Sequence, residues 1–262
     1  MVECSACQGE QFLFRANGDF AEAKICQSCQ ACGAECDGSG YTFVTNAEGY
    51  RIAQPCVCLD LKRRGESYSR ARIPGRYFEA HFRTIEIPER CEDMMSARSQ
   101  ASRFAHEYEP GMQGLLFYGP TGTGKTLLTC CILRYLILQR GVTARFVEFG
   151  HLLTELRSCF SEPGRAKDVI KPLVDVPVLV MDELGKGRGS EWELSVLDDL
   201  ISKRYNADRT TILTTNYPVH RKTSYDGEET LSDRVGARIY SRIVEMCQPV
   251  RLIGEDYRQA RP

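Results

Sequence analysis

Residues 119–126 read GPTGTGKT, and Gly119, Gly124, Lys125 and Thr126 fall at the spacing G-x-x-x-x-G-K-[ST] of a phosphate-binding loop. Each residue type has a chemical reason to be there. Glycines reach backbone conformations that residues with a Cβ avoid, so successive N–H groups can turn inward around phosphate oxygens. A helix starting near Gly124 would present unpaired N–H groups and its positive end to the anion. Lys125 would reach the β- and γ-phosphates, and the Thr126 hydroxyl would hold Mg²⁺. The candidate cradle is therefore Gly119, Pro120, Thr121, Gly122, Thr123, Gly124, Lys125 and Thr126, and its ligand a nucleoside triphosphate.

A second constellation closes the run PVLVMDEL (177–184), where four apolar residues lead into Asp182 and Glu183. Strands of a parallel sheet covered on both faces read as continuous apolar runs, and their functional residues sit at the carboxyl ends. Asp182 is placed to hold Mg²⁺ and Glu183 to orient an attacking water. A hydrolytic site needs that second carboxylate, whereas a phosphotransferase does not. Asn216, at the end of TTILTTN, can sense a γ-phosphate from the end of another strand.

The third constellation is metal-binding. Eight of the 13 cysteines lie within the first 58 residues: Cys4, Cys7, Cys26, Cys29, Cys32, Cys36, Cys56 and Cys58. Cys4-x₂-Cys7 followed by Cys26-x₂-Cys29 fits zinc spacing, and the other four supply a second set of thiolates. Two structural Cys₄ zinc sites are expected. The sequential partition is favoured over an interleaved one, which stays open. Residues 1–66 carry six basic against nine acidic side chains, which argues against a DNA-binding finger and for a protein-docking module. The run CDGSGYTF resembles the CxGxG repeats of the DnaJ cysteine-rich region.

These groups need elements to position them. The pattern predicts a helical connector over 59–72, a helix over 88–108 and a strand over 114–118. A helix should then follow the phosphate loop. Further on, a strand over 144–149, a helix over 150–160, the strand at 177–184, a helix over 190–205, the strand at 210–216 and a helix over 231–247 are expected. Arg234, Arg238 and Arg242 recur every four residues, which would place them on one face of that last helix. The organisation expected is a zinc domain at 1–66, a connector and entry segment at 67–110 and an ATPase core at 111–262.

With 262 residues, 42% hydrophobic and 26% charged, the composition is that of a globular chain. A formal net charge of −1 restricts any nucleic-acid contact to a local patch. The N-terminus has no signal pattern and no apolar run approaches a membrane span, so a cytoplasmic protein with reduced thiols and no membrane partner is expected.

In order and spacing, IPGRY, GPTGTGKT, VLVMDELG, KRY (203–205), TTILTTNYP, GARIYSRI and DYR resemble the AAA+ ATPases of the DnaC/DnaI helicase-loader and IstB type. The resemblance covers about residues 73–262. It implies an α/β P-loop fold with a parallel central sheet, here preceded by the small metal-stapled domain. Lys125 and Thr126 become Walker A, Asp182 and Glu183 Walker B, Asn216 sensor 1, Arg242 the arginine finger with Arg238 as runner-up, and Arg258 sensor 2. It further implies ATP and Mg²⁺ as cofactors beside the zinc. The expected partners are a replicative helicase held by residues 1–66, single-stranded DNA near 150–160 with Arg157 and Lys167 on its phosphates, and copies of the chain assembled by ATP. An IstB-like transposition regulator, a DnaJ-like zinc chaperone or adaptor with a regulatory ATPase, and a nucleotide kinase are the alternative readings.

Overall fold

The structure is a computed structural model that describes residues 4–29, 36, 38–85, 91–159, 164–187, 189–219, 229–254 and 256–257. Cys32 and Arg258 lie outside these. The chain divides into two compact units, Met1–Glu79 with Ile137–Gly141, and Ala80–Leu136 with Val142–Pro262.

The first unit is built from two hairpins and a helix. Strands β1 (Phe12–Asn17) and β2 (Phe20–Ile25) pair antiparallel around the two-residue turn Gly18-Asp19, with Gly18 at φ 58°. Strands β3 (Tyr41–Thr45) and β4 (Arg51–Pro55) form the second hairpin. Its longer loop is held by the Asn46 side-chain oxygen, which accepts from the N–H groups of Glu48 and Tyr50. Helix α1 (Val57–Arg70) packs against the first hairpin. Phe12, Ala21, Ala23, Tyr68, Ala71 and Ile73 are its buried centre, while β4 is exposed at every position. Neither hairpin was foreseen from the sequence.

The second unit is a five-stranded, all-parallel sheet in the order β6-β7-β8-β5-β9. Strands β5 (Gly114–Tyr118), β7 (Val178–Asp182) and β8 (Thr210–Thr215) are buried throughout, the first two as their apolar runs require and the threonine-rich β8 as the central strand between them. Strand β6 (Ala144–Glu148) forms one edge and β9 (Cys247–Arg251) the other. The crossovers are helices: α3 (Lys125–Leu138), α4 (Phe149–Ser158), α5 (Arg165–Asp175) and α6 (Glu191–Asn206), with α2 (Glu92–Glu107) ahead of β5. Helix α6 starts in a capping box, in which Ser190 accepts from the Glu193 N–H and the Glu193 carboxylate accepts from the Ser190 N–H. Among the described residues no helix is long and apolar enough to cross a membrane.

One expectation is corrected. The single helix read over 231–247 is two, α7 (Leu231–Val235) and α8 (Ala237–Met246), because Gly236 between them takes φ 82° and ψ 153°. Arg234 is therefore separated from Arg238 and Arg242 and has a different job.

Arg204, fully buried in α6, ties the sheet to its surroundings. Its guanidinium donates to the carbonyls of Leu173, Val176 and Thr210 at 2.6, 2.9 and 2.6 Å and to the Thr211 hydroxyl at 2.9 Å. Burial pushes its pKa down to about 9, which still leaves it charged near neutrality. The cation satisfies backbone oxygens where α5 turns into β7 and where β8 begins.

Candidate nucleotide site and cysteine clusters

Strand order brings the chemistry together. Strand β8 lies between β5, which runs into the phosphate loop, and β7, which ends at Asp182. Because all three strands are parallel, the loop, the two carboxylates and Asn216 stand at the same end of the sheet, where α/β folds bind ligands. Asn216 is exposed, immediately after β8.

The loop needs its glycines. Gly119 has φ 141° and Gly122 φ 82°, and a Cβ on either would come within 1.9 Å of another atom, the Leu252 carbonyl oxygen or an Asp256 carboxylate oxygen. The segment after β9 thus crosses the loop, and the Tyr257 N–H donates to the Gly122 carbonyl at 3.2 Å. Lys125, buried apart from a small fraction, donates to the carbonyls of Gly119 and Pro120 at 2.7 and 2.6 Å. Thr123 closes the turn on the Pro120 carbonyl at 2.9 Å.

Asp182 is buried and meets hydroxyls. Thr126 donates to its two oxygens at 3.0 and 3.1 Å, and Thr214 donates to Oδ1 at 2.6 Å. Burial pushes the Asp182 carboxyl up, the two hydroxyl donors pull it down, and the charges of Glu183 and Glu148 push it up again. A divalent cation would reverse that balance and keep the carboxylate ionised. Thr126 and Asp182, already in contact, are a donor set that fits Mg²⁺. Glu183 takes φ 57°, and its carboxylate pairs with Lys186 at 2.5 Å, which holds the Lys186 ammonium above its usual pKa.

The arginines separate. Arg234 donates to the carbonyls of Gly185 and Gly187 and lies over the Tyr217 ring, so it braces the turn that follows Glu183. Arg242 pairs with Asp198 of α6 at 2.8 Å and is 24% exposed, whereas Arg238 reaches the same carboxylate at 3.6 Å and is 74% exposed. Arg157 donates to Glu193 at 2.6 Å and stacks over Trp192, with half of its side chain still exposed. Sequence reading missed Thr214 and Lys186. Nothing in the sequence singled out the first, since four of the six β8 residues are threonine.

In the first unit, the described cysteines gather as Cys4, Cys7 and Cys26 and as Cys36, Cys56 and Cys58, with the sulfurs of each group within 4.8 Å of one another. Cys29 ends a short 3-10 turn (Gln27–Cys29) that follows Cys26. Four sulfurs at about 2.3 Å from a tetrahedral Zn²⁺ would stand roughly 3.8 Å apart. The Cys4–Cys26 and Cys36–Cys58 separations are 3.9 and 3.6 Å, so both groups fit that ion. Cys36 also has backbone donors. Burial raises its pKa, but hydrogen bonds from the Gly38 and Gly40 N–H groups and from the Cys58 and Cys56 thiols together bring it to about 7. That gives the CDGSG run a reason, since donors to a ligating sulfur stabilise the thiolate. Cys58 goes the other way, up to about 12, through burial and the neighbouring sulfurs.

A parallel sheet with a phosphate loop after one strand, a carboxylate pair at the end of a second and a polar residue after the strand between them defines a P-loop NTPase of the AAA+ class. The chain belongs to the IstB-like ATP binding protein family, whose pattern it matches over residues 94–261. It is 27% identical over 193 residues to the replicative helicase loader DnaC of Escherichia coli (strain K12), covering 73% of this chain and 78% of that one. Among solved structures, the DnaC helicase loader is 31% identical at a TM-score of 0.60, covering 68% of this chain and 99% of its own. DnaI is 25% identical at a TM-score of 0.54, covering 69% and 92%. The chain is DnaC/DnaI-like in its AAA+ unit.

Proposed function

We propose that this protein is an ATP-dependent loader of a replicative helicase, which binds and hydrolyses ATP to place or remodel that helicase on single-stranded DNA. The observation that carries the reading is a phosphate loop and a carboxylate pair at one end of the sheet, in a chain similar to replicative helicase loaders over nearly three quarters of its length. Thr126 and Asp182 would hold Mg²⁺, which shields phosphate charge when bound. Lys125 would lie along the β- and γ-phosphates, Glu183 would orient the water, and Asn216 and Arg258 would report the γ-phosphate. Arg242 of an adjacent copy would complete the site, with Arg238 the other candidate, which requires an ATP-dependent homo-oligomer in the cytoplasm.

The first unit, with one Zn²⁺ in each cysteine group, would dock the helicase. Supporting this, Leu13, Phe20, Tyr41, Phe43, Tyr50, Ile52 and Val57 are all large apolar side chains of that unit left exposed. Tyr41 and Phe43, alternate residues of β3, share one face of its hairpin, and apolar side chains grouped in this way suit a protein contact. Single-stranded DNA would run near α4. Lys167 and the exposed half of Arg157 would meet its phosphates, giving a salt slope of about −0.7 per contact.

The test is Glu183→Gln in the full chain, assayed with the host's hexameric helicase. The variant should bind ATP, hold the helicase and turn over ATP on the order of a hundredfold more slowly, since one preorganised catalytic group is lost. Wild-type turnover in the variant, or a zinc-loaded protein that fails to retain the helicase, overturns the reading. The family pattern also admits an IstB-like transposition regulator. Duplex-dependent ATP turnover with no helicase retention would favour it.

A further inference from the structure

We propose that Thr214 is a positioning residue for both Walker B carboxylates, a role that rests on reading this site as hydrolytic. Thr214 is 1% exposed on β8, beside the end of β7. A threonine hydroxyl has one hydrogen to give and two lone pairs to offer. Here it gives the hydrogen to Asp182 Oδ1 at 2.6 Å and accepts the N–H of Glu183 at 2.9 Å. One oxygen therefore sets the rotation of the metal-holding carboxylate and the backbone of the residue that would orient water.

That backbone needs holding. Glu183 sits at φ 57°, a left-handed conformation that is strained for a residue with a side chain and persists only where its surroundings impose it. The surroundings come from β8. The Leu184 N–H donates to the Thr214 carbonyl at 2.8 Å, and the Thr215 hydroxyl donates to the Leu184 carbonyl at 2.8 Å. Residues 183–184 are thus bonded to two consecutive β8 residues, and the next residue on that chain is Asn216. With Thr126 donating to Asp182 from the other side, the carboxylate is clamped between the phosphate-loop helix and β8. The direction in which Glu183 leaves the strand follows from a hydrogen bond that only a hydroxyl can make here. Valine at this position has nearly the same shape, and would strip the Glu183 N–H of this acceptor and the buried Asp182 carboxylate of its shorter hydroxyl donor, leaving it Thr126 alone.

The experiment compares Thr214→Val and Thr214→Ser with wild type and Glu183→Gln, all in the full chain. It measures fluorescent-ATP binding without Mg²⁺, the Mg²⁺ concentration for half-saturation, and kcat and KM. Thr214→Val should bind nucleotide without Mg²⁺ within about twofold of wild type, lose about ten- to a hundredfold in kcat, and need severalfold more Mg²⁺, as expected when a hydrogen bond to a charged group is lost. Thr214→Ser should recover most of both. Wild-type kcat and Mg²⁺ dependence in Thr214→Val overturn the proposal. So does a serine variant as impaired as the valine one, or a valine variant whose Mg²⁺-free binding falls as far as its kcat. If instead Glu183→Gln turns over like wild type, the hydrolytic reading fails, and the Mg²⁺ dependence still decides whether Thr214 orients Asp182.

Discussion

In the ATPase unit, β5, β7 and β8 are buried at every position, and the phosphate loop, Asp182 and Asn216 follow directly from their carboxyl ends. In the cysteine-rich unit, β4 is exposed at every position and only a few side chains around Phe12 and Tyr68 are buried. One unit fixes its functional groups by strand order and apolar packing. The other has six described cysteines gathered at tetrahedral spacing around two points and little core to hold them there. Small regions of that kind fold on their metal. The ATPase unit should be indifferent to chelation, and the cysteine unit should depend on it.

The largest effect probes whether the ATPase unit is self-contained. Arg242→Ala should keep ATP in its own site and lose hydrolysis by up to about 10³–10⁵, the worth of an arginine supplied in trans. Its Asp198 partner lies on its own α6, so serving a neighbour means breaking that pair. Lys125→Ala has the opposite defect, and mixing the two variants should restore activity that neither has alone. If mixing restores nothing, each chain's site is complete and the assembly reading falls.

A smaller effect sharpens the claim that the ATPase unit is held by its own bonds. Arg204→Met leaves several buried carbonyls without a donor, each costing roughly 1–3 kcal/mol, so destabilisation of about 3 kcal/mol or more is expected in urea. Zinc content should not change. Loss of zinc from this variant would mean that the two units do not fold separately.

The smallest effect is set by pH. Burial pushes the Cys131 and Cys247 thiols up to about 12, from an ordinary value of 9.0. A raised folded pKa means the unfolded chain loses the proton first. Their contribution is therefore complete below about pH 9 and is lost as pH rises toward 12, by at most about 1.4 kcal/mol per pH unit for each thiol. Cys247→Ala should lower the alkaline slope of the urea midpoint by the share of one thiol. An unchanged slope would mean that this thiol titrates as it does in the unfolded chain.

The same division decided what the sequence could reveal. The strands at 114–118 and 177–184 and the groups at their ends were legible because fully buried parallel strands read as unbroken apolar runs. Strand β9 was not, since CQPVR is short, half exposed and contains a proline at the sheet edge. The two hairpins were illegible because their strands bury so few side chains: β1 buries Phe12 alone, and β3 and β4 have no buried position. Gly236 hid the break between α7 and α8, because the arginine spacing on either side of it continued at four residues. Thr214 escaped because its importance lies in a cross-strand contact, which spacing along the chain does not record.

The proposed division of labour assigns docking to the cysteine-rich unit, which would hold the zinc, and ATP turnover to the sheet. It is tested most directly by counting helicase hexamers loaded onto circular single-stranded DNA by the full chain, with zinc content and ATP turnover measured on the same samples. Intact protein should carry two Zn²⁺ and load the helicase with ATP. After zinc is stripped, or in a Cys56→Ser/Cys58→Ser variant, loading and helicase retention should disappear while the chain still binds and hydrolyses ATP. Stripped protein that loads the helicase as well as intact protein would contradict the account, as would loss of ATP binding together with the zinc.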